Sequence, residues 1–369
     1  MLIQRKLSRQ IFLKNLPIGG GVKISLQTMT KVPTSNWELL FHQVQKVIEH
    51  GADIVRVAVK YPSDVKNLCR LVNEFAQPIV ADIHFNHKLA IEAIKAGVAG
   101  IRLNPGNISD RSKIREILKA VRDYNPNLVI RVGMNSGSIP DDLRTKDMVE
   151  ALVQGALRYV SILEDEGFFN IKVSLKASDV LTTIEANKRF RDLSDYPLHL
   201  GVTATGDSLS GIVKSSIGIG SLLLHGIGET IRVSLNASPI EEVRVGRKIL
   251  SALGLGGGVD LIACPTCGRA LVDIKPIVQE LADLIENKPR LFAGITRIAV
   301  MGCEVNGPGE ARDADLGVAC GKGWGLLFAK GRAIRRVRFD DIINSMIEEA
   351  ARIREEKDGI IGEGQTKVV

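Results

Sequence analysis

At 369 residues and 40.1 kDa, the chain is long enough for two domains, or for one barrel of about 250 residues with a smaller companion. Hydrophobic residues at 45% and charged residues at 25% exclude a disordered or fibrous protein, while aromatics at 4% disfavour any function built on base stacking. The net charge of +7 and pI ≈ 9.1 point to an anionic partner: a phosphorylated metabolite, an acidic protein or nucleic acid. Five cysteines are an odd and sparse set, which excludes a disulfide scaffold and favours reduced thiols in a cytosol. No apolar run approaches the roughly 20 residues of a membrane span; the longest, around Ile217 to Leu224, is short and broken by glycine. Met1 to Gly21 carries scattered charges and no signal-peptide core, so a cytoplasmic protein is expected.

Eight short β-rich runs follow in order: Lys23–Thr30, Ala52–Val59, Pro78–Phe85, Gly100–Gly106, Leu128–Gly137, Asn170–Ser178, Leu198–Thr205 and Thr230–Leu235. Most are continuous Ile/Val/Leu segments, as in strands buried on both faces of a parallel sheet. Stretches with helical periodicity separate them; in Trp37 to His50, Leu40, Val44, Val47 and Ile48 recur on one face. Eight βα units over roughly 235 residues match the count and size of a TIM-like (β/α)8 barrel. A doubly wound open sheet would also alternate. However, no Gly-x-Gly-x-x-Gly follows the first strand, and Gly321-Lys322 is followed by glycine, so no Walker A sequence is present. The glycine cluster Gly254 to Gly258 marks a boundary, giving a barrel over 1–255 and a smaller α+β domain over 256–369. In the latter, strands are expected at Asp260–Ala263, Arg297–Met301 and Asp315–Ala319, and helices at Ile277–Glu286 and Phe339–Arg354, before a polar tail.

In such a barrel the chemistry lies at the C-terminal strand ends. Strands two, four, five and eight place Arg56, Arg102, Arg131 and Arg232 between aliphatic residues, so alternation sends arginine to one face and the aliphatics to the other. A buried arginine needs an anion, and the strand ends supply few acids, chiefly Asp82. The missing anion is then a ligand, and guanidinium forks suit phosphate oxygens. His84, Asn104, Asn135, Ser174, Lys176 and Lys214 would complete a diphosphate-sized site. Alternatively, each arginine could snorkel outward to a helix carboxylate. His42, His50, His87 and His225 read as surface or packing residues, and His199 as equally core or site.

Cys264-Pro-Thr-Cys267 ends an apolar strand, and 35 residues separate it from Cys303, which precedes Glu310 by seven residues; Cys320 comes later. Three readings stay open: a structural zinc on Cys264, Cys267, Cys303 and Cys320, a redox disulfide of Cys264 and Cys267, or an iron–sulfur cluster on three or four thiolates. Cys69 reads as a small buried hydrophobe in a helix.

The segments Ile262-Ala-Cys264-Pro-Thr-Cys267-Gly-Arg269 and Ala299-Val-Met-Gly-Cys303-Glu-Val-Asn306-Gly-Pro-Gly-Glu310-Ala-Arg312 resemble the GcpE/IspG family. These are the iron–sulfur 4-hydroxy-3-methylbut-2-enyl diphosphate synthases of the non-mevalonate isoprenoid (MEP) pathway. Arg102-Leu-Asn104-Pro-Gly-Asn107, Val173-Ser174-Leu-Lys176, Leu200-Gly-Val-Thr203, Lys214-Ser-Ser216-Ile-Gly-Ile-Gly220 and Thr230-Ile-Arg232-Val-Ser-Leu are similar to its barrel motifs, so the resemblance runs from about Ser25 to Arg338. It implies a substrate-binding TIM-like barrel, a cluster domain, and a [4Fe-4S] cluster on Cys264, Cys267, Cys303 and Glu310, with the carboxylate as displaceable ligand. It implies a cyclic diphosphate substrate, 2-C-methylerythritol 2,4-cyclodiphosphate, opened by two electrons with loss of water. Glu229, beside Thr230, is assigned to the mouth of strand eight as a candidate proton donor. The family forms homodimers in which one chain's cluster domain caps the other's barrel. One departure is Thr203-Ala204-Thr205, where the family commonly has Glu and Ala after the threonine; Met134 before Asn135 is a smaller one.

The basic run Lys330, Arg332, Arg335, Arg336 and Arg338 is expected to dock an acidic electron donor, flavodoxin or ferredoxin. The rival reading is an anion-binding protein with a structural zinc. Without aromatic interleaving, nucleic acid is not expected as a partner, and neither is a membrane.

Overall fold

The computed structural model describes residues 3–144, 147–203, 205–303 and 307–357. The chain divides into two compact units, 1–249 and 250–369. The division falls inside one helix, a few residues ahead of the glycine cluster, where Gly254, Gly256, Gly257 and Gly258 all take positive φ.

The first unit is a parallel barrel. Its strands are β1 (Ser25–Met29), β2 (Ile54–Ala58), β3 (Ile79–Asp82), β4 (Gly100–Leu103), β5 (Val129–Asn135), β6 (Ile171–Lys176), β7 (His199–Leu200) and β8 (Thr230–Ile231). Each pairs with its sequence neighbour, β8 closes onto β1, and a single bridge from Val173 to Leu198 joins β6 to β7. Consecutive neighbours all round leave no switch point, which excludes the doubly wound alternative. Eight helices alternate with the strands: α1 (Trp37–Glu49), α2 (Pro62–Glu74), α3 (His87–Lys95), α4 (Arg111–Tyr124), α5 (Met148–Asp165), α6 (Val180–Leu193), α7 (Ser208–Leu224) and α8 (Pro239–Ala252). Asn36, Asn86, Asp110, Asp147, Asp179 and Asp207 each accept a backbone N–H of the helix that follows. Such caps contribute about 1 kcal/mol each, and they fix where the loops at the C-terminal strand ends stop.

A hairpin that sequence reasoning missed, Ile11–Leu13 with Leu16–Ile18, packs Ile11, Leu13 and Ile18 against Ile54, Val80, Ala99 and Val129. Those four come from the starts of β2, β3, β4 and β5, so the hairpin plugs the N-terminal end of the barrel. The opposite end is left for polar groups.

The second unit holds a five-stranded sheet in order β9 (Asp260–Ala263), β10 (Arg297–Met301), β11 (Leu316–Gly321), β12 (Trp324–Ala329) and β13 (Arg332–Arg338). The first three run parallel and the last two form an antiparallel meander. Helices α9 (Lys275–Asn287) and α11 (Ile342–Lys357) supply Ile277, Leu281, Ile342, Met346, Ala350 and Ile353 to one face, against Ile298, Val300, Leu316, Val318 and Cys320. On the other face Ala311 of the short helix α10 (Gly307–Arg312) packs with Ala319 and Phe328. Gly317 makes this possible: a Cβ there would stand 2.5 Å from the Ala311 carbonyl oxygen. Strands β12 and β13 were not expected, because glycine and arginine interrupt their apolar pattern. The tail beyond residue 357 lies outside the described residues.

Candidate active site

Alternation along the barrel strands puts a column of charged side chains in the lumen. Ile54, Val80 and Val129 face the plugging hairpin, so Arg56, Asp82 and Arg131, two residues on in each strand, face inward one layer higher. Register places Asp82 beside Arg102, Arg102 beside Arg131, and Arg131 beside Lys172, while Asn135 lies beside Lys176. Arg56, Arg102, Arg131, Lys172 and Lys176 are each at most 9% exposed.

Their polar contacts are few. Arg56 meets the Met29 sulfur, 2.8 Å from Nη2, and a thioether is a weak acceptor. Arg102 donates to the Gly133 carbonyl at 3.1 Å, lies 3.8 Å from Asp82, and faces the Asn135 side-chain oxygen at 3.2 Å. Among the described residues, Arg131 Nε and Nη1, Arg102 Nε, Lys172 Nζ and Asp82 Oδ1 have no hydrogen-bond partner. Asp82 also meets His84 Nε2 at 3.2 Å, and His84 is half exposed. Asn104 donates to Ser138 Oγ at 2.9 Å and accepts from Gly106 N, which fixes the turn after β4. Thr230 Oγ1 meets His199 Nδ1 at 2.9 Å, and Ser174 is buried between Lys172 and Lys176 on β6.

Two glycines make room for these chains. A Cβ on Gly133 would lie 2.6 Å from Arg102 Nε, and one on Gly201 would collide with Lys176 Nζ. Charge follows geometry. Burial opposes ionisation of Asp82, but Arg56, His84, Arg102 and Arg131 outweigh it and hold the carboxyl well below its ordinary range. Burial, opposed by Asp82, lowers Arg56 to about 10. Burial and neighbouring arginines hold Arg131 and Lys176 well below their ordinary values. Burial, then Lys176 and Arg131, keep His199 neutral. Asp82 is the acid the strands set among the basic side chains Arg56, Arg102, Arg131, Lys172 and Lys176, and Glu242, buried on α8, also acts on Arg56; this excess of basic groups suits an anion by chemistry.

Some expected residues lie elsewhere. Glu229 is not at the mouth: it precedes β8, at the N-terminal end, where Arg191 binds it at 3.1 Å and the Leu198 N–H donates to it. With Arg5 at 3.9 Å as well, it is a structural ion pair that stitches β7 and β8 to α6. Arg232 pairs with Glu242 of α8 at 3.4 Å, the helix carboxylate that the snorkelling alternative described, yet its charge still acts on Arg56, Arg131 and Lys176 in the lumen. Lys214 stands on α7, half-buried, where its charge acts on Asp207 at that helix's N-cap. Ala204 lies outside the described residues, while Thr205 donates to the Ser234 carbonyl at 2.9 Å. Lys172, Gly133 and Gly201 were missed, although applying alternation to lysine as well as arginine would have found Lys172.

In the second unit Cys264 directly follows β9, and Cys303 lies two residues past β10. Ala263 pairs with Val300 in parallel register, and Cys264 N donates to the Val300 carbonyl at 3.1 Å. Both cysteines therefore stand at the C-terminal end of adjacent strands. Thr266, at φ 54°, turns the chain so that its N–H donates to Cys264 Sγ at 3.3 Å. An N–H aimed at sulfur is a contact that stabilises a ligating thiolate. Cys267 is exposed, Cys303 is buried, and Glu310 is exposed on α10. Three thiols at one sheet end suit a soft metal centre by chemistry. Among the described residues, however, no three such donors are gathered at metal-binding distance. Cys320 faces the α9 and α11 side of the sheet, and burial pushes its thiol up to about 12, so it is a core residue and a poor zinc ligand. Cys69, expected to be buried, is exposed.

The basic run lies on the edge strand β13 and around its start. Arg335 pairs with Glu348 at 2.9 Å, Lys330 pairs with Glu356, and Arg336 stacks 4.4 Å over Trp324. Arg332 and Arg338 are exposed. Among the described residues, no helix is long and apolar enough to cross a membrane.

Fold and site together define a barrel enzyme with an attached thiol-bearing α/β unit. Family models described as the GcpE TIM-barrel domain and the GcpE protein C-terminal domain match residues 8–247 and 260–352. The chain belongs to the GcpE family, a family of oxidoreductases. It is 47% identical to a 4-hydroxy-3-methylbut-2-en-1-yl diphosphate synthase (flavodoxin) of Thermodesulfovibrio yellowstonii, over 94% of this chain and 99% of that protein. A Clostridium perfringens protein of the same name is 43% identical over 94% of this chain and 99% of its own length. Among solved structures, a dihydropteroate synthase of Coxiella burnetii in complex with pteroic acid matches 69% of this chain and 99% of its own, with TM-score 0.50 and 12% identity. That likeness shows the barrel fold alone.

Proposed function

We propose that the chain reduces 2-C-methyl-D-erythritol 2,4-cyclodiphosphate to (E)-4-hydroxy-3-methylbut-2-enyl diphosphate. The observation that carries this reading is the barrel lumen, where Arg56, Arg102, Arg131 and Lys176 are buried together and guanidinium N–H groups are orphaned among the described residues. A cyclic diphosphate supplies the oxygens those groups lack. In the reaction the C2–O bond to the diphosphate breaks, the C3 hydroxyl leaves as water, and a C2=C3 double bond forms. Two electrons and one proton enter, and one water departs. A [4Fe-4S] cluster held by Cys264, Cys267, Cys303 and Glu310 would supply single electrons when bound.

This chain's own residues do the rest. Arg56, Arg102, Arg131 and Lys176 bind the diphosphate, and Asp82 keeps Arg56 and Arg102 charged. Asn104, Asn135, Ser174 and Thr230 orient the sugar carbons. His84, on Asp82 and partly open to solvent, is the best-placed group to move a proton at the mouth. Flavodoxin, which the relatives' name carries, is the donor proposed here, and the chain works as a cytoplasmic homodimer.

The test is anaerobic purification followed by iron analysis and turnover with reduced flavodoxin. A brown protein with about four irons per chain that forms the product supports the reading. A colourless protein with one zinc sinks it and favours the anion-binding alternative.

A further inference from the structure

Lys172 lines the lumen beside Arg131 but is not among the residues that bind the diphosphate above. It lies on β6 one inward step below Ser174 and two below Lys176, and is 2% exposed. Its Nζ has no hydrogen-bond partner among the described residues. Arg131 sits directly across from it on β5, and Arg56 acts on it from β2. From β7, His199 is the neutral neighbour, with Nε2 unpartnered and Nδ1 tied to Thr230. Lys176 stands above it on its own strand. The acid acting on it is Glu229, at the start of β8, whose oxygens are already taken by Arg191 and the Leu198 N–H. Gln27, from β1, is buried with both amide atoms unpartnered. A primary amine is thus enclosed beneath those arginines with no hydrogen-bond partner among the described residues, and Glu229 is the acid that favours its protonation.

We propose that Lys172 takes up a proton from solvent when an anion binds in the barrel mouth, so that diphosphate binding is coupled to protonation one layer below it. The proposal rests on the reading of the lumen as a diphosphate site. Its physics is linkage. Without ligand, burial and the charges of Arg131 and Arg56 lower Lys172 to about 7. An anion on those two arginines cancels the field that opposes the ammonium, and Lys172 then titrates higher. Between the free and bound values, binding draws in a proton, so affinity falls as pH rises through that window. Lys172 is a positioning residue in this sense, because its charge completes the counter-ion for a ligand it need not touch.

The experiment is calorimetric titration of the full-length protein with inorganic pyrophosphate at about pH 8, in buffers of different ionisation enthalpy. The slope of observed heat against buffer enthalpy counts protons taken up. Burial and the arginines lower Lys176 as well, so the reading is the difference between wild type and Lys172→Met. The expected difference is about one proton per site, with pyrophosphate still bound by the variant. Lys172→Gln gives the same measurement if Lys172→Met does not fold. Equal proton numbers in wild type and either variant overturn the inference and leave the diphosphate reading standing. Failure of wild type to bind pyrophosphate overturns both.

Discussion

The two units hold their functional groups in opposite ways. In the barrel, several candidate groups are fixed by their neighbours: Arg102 by Gly133 and Asn135, Asn104 by Ser138 and Gly106, Thr230 by His199. In the second unit the candidate donors sit in loops after the strands and on the short helix α10. Cys267 and Glu310 are exposed, and no three donors converge among the described residues. The difference shows where each site's free energy comes from. The charged lumen is made by folding, whose hydrophobic core offsets the cost of burying its basic side chains. A metal centre can be completed by the metal, because the binding free energy itself orders the ligands.

Removing a thiol is the most severe way to break this comparison. Cys303→Ser replaces a buried sulfur at the end of β10 with a hydroxyl that binds iron poorly. Bound iron and visible colour should fall to background after anaerobic reconstitution. The barrel should keep its affinity for pyrophosphate. Full iron content in the variant would remove Cys303 from the centre.

A smaller effect is expected from the reverse change, which touches only the barrel. In Gly201→Ala the new Cβ meets Lys176 Nζ and stands 2.6 Å from the Arg232 carbonyl oxygen. Overpacking of this kind costs about 1–3 kcal/mol. Lys176 must swing away, so pyrophosphate affinity should drop by about 10-fold, a loss near 1.4 kcal/mol, while iron per chain stays constant. Unchanged affinity would mean that Lys176 does not hold the anion.

The same contrast explains what was legible in the sequence. The barrel was readable because continuous aliphatic runs separated by amphipathic helices leave few alternatives, and the arginines stood out at period two within those runs. The plugging hairpin was not readable. Its strands are three residues each, and Lys14 in its turn takes φ 58°, an unusual conformation for lysine. Glu229 was misplaced against the sequence's own pattern: the run Thr230–Leu235 already put it ahead of the strand, and a residue ahead of a barrel strand lies at the N-terminal end. Arg191 and Arg5, which hold it, are remote in sequence. The cysteine spacing suggested a metal centre, yet spacing alone could not set aside Cys320, whose inward face follows from how β11 packs on α9 and α11.

The least effect is expected on the basic edge of the second unit, and there the structure sharpens the choice of residues. Of five cations in the run, Lys330 and Arg335 already have carboxylate partners, and Arg336 covers Trp324. Breaking an exposed pair such as Arg335 with Glu348 costs about 0.2–1 kcal/mol, so stability should hardly change. Arg332 and Arg338 are exposed and have no carboxylate partner among the described residues, so their charge is available to an acidic protein. Reversal at Arg332 and Arg338 should slow flavodoxin-driven turnover a few-fold, more at low salt than at high, because only screened long-range attraction is lost. Reversal at Arg335 and Arg336 should do less, since Glu348 already offsets one of the charges removed. Turnover with a small chemical reductant should be equal in all variants. A loss of the same size with both reductants would show that the edge strand supports the fold of the thiol-bearing unit and is not where the donor docks.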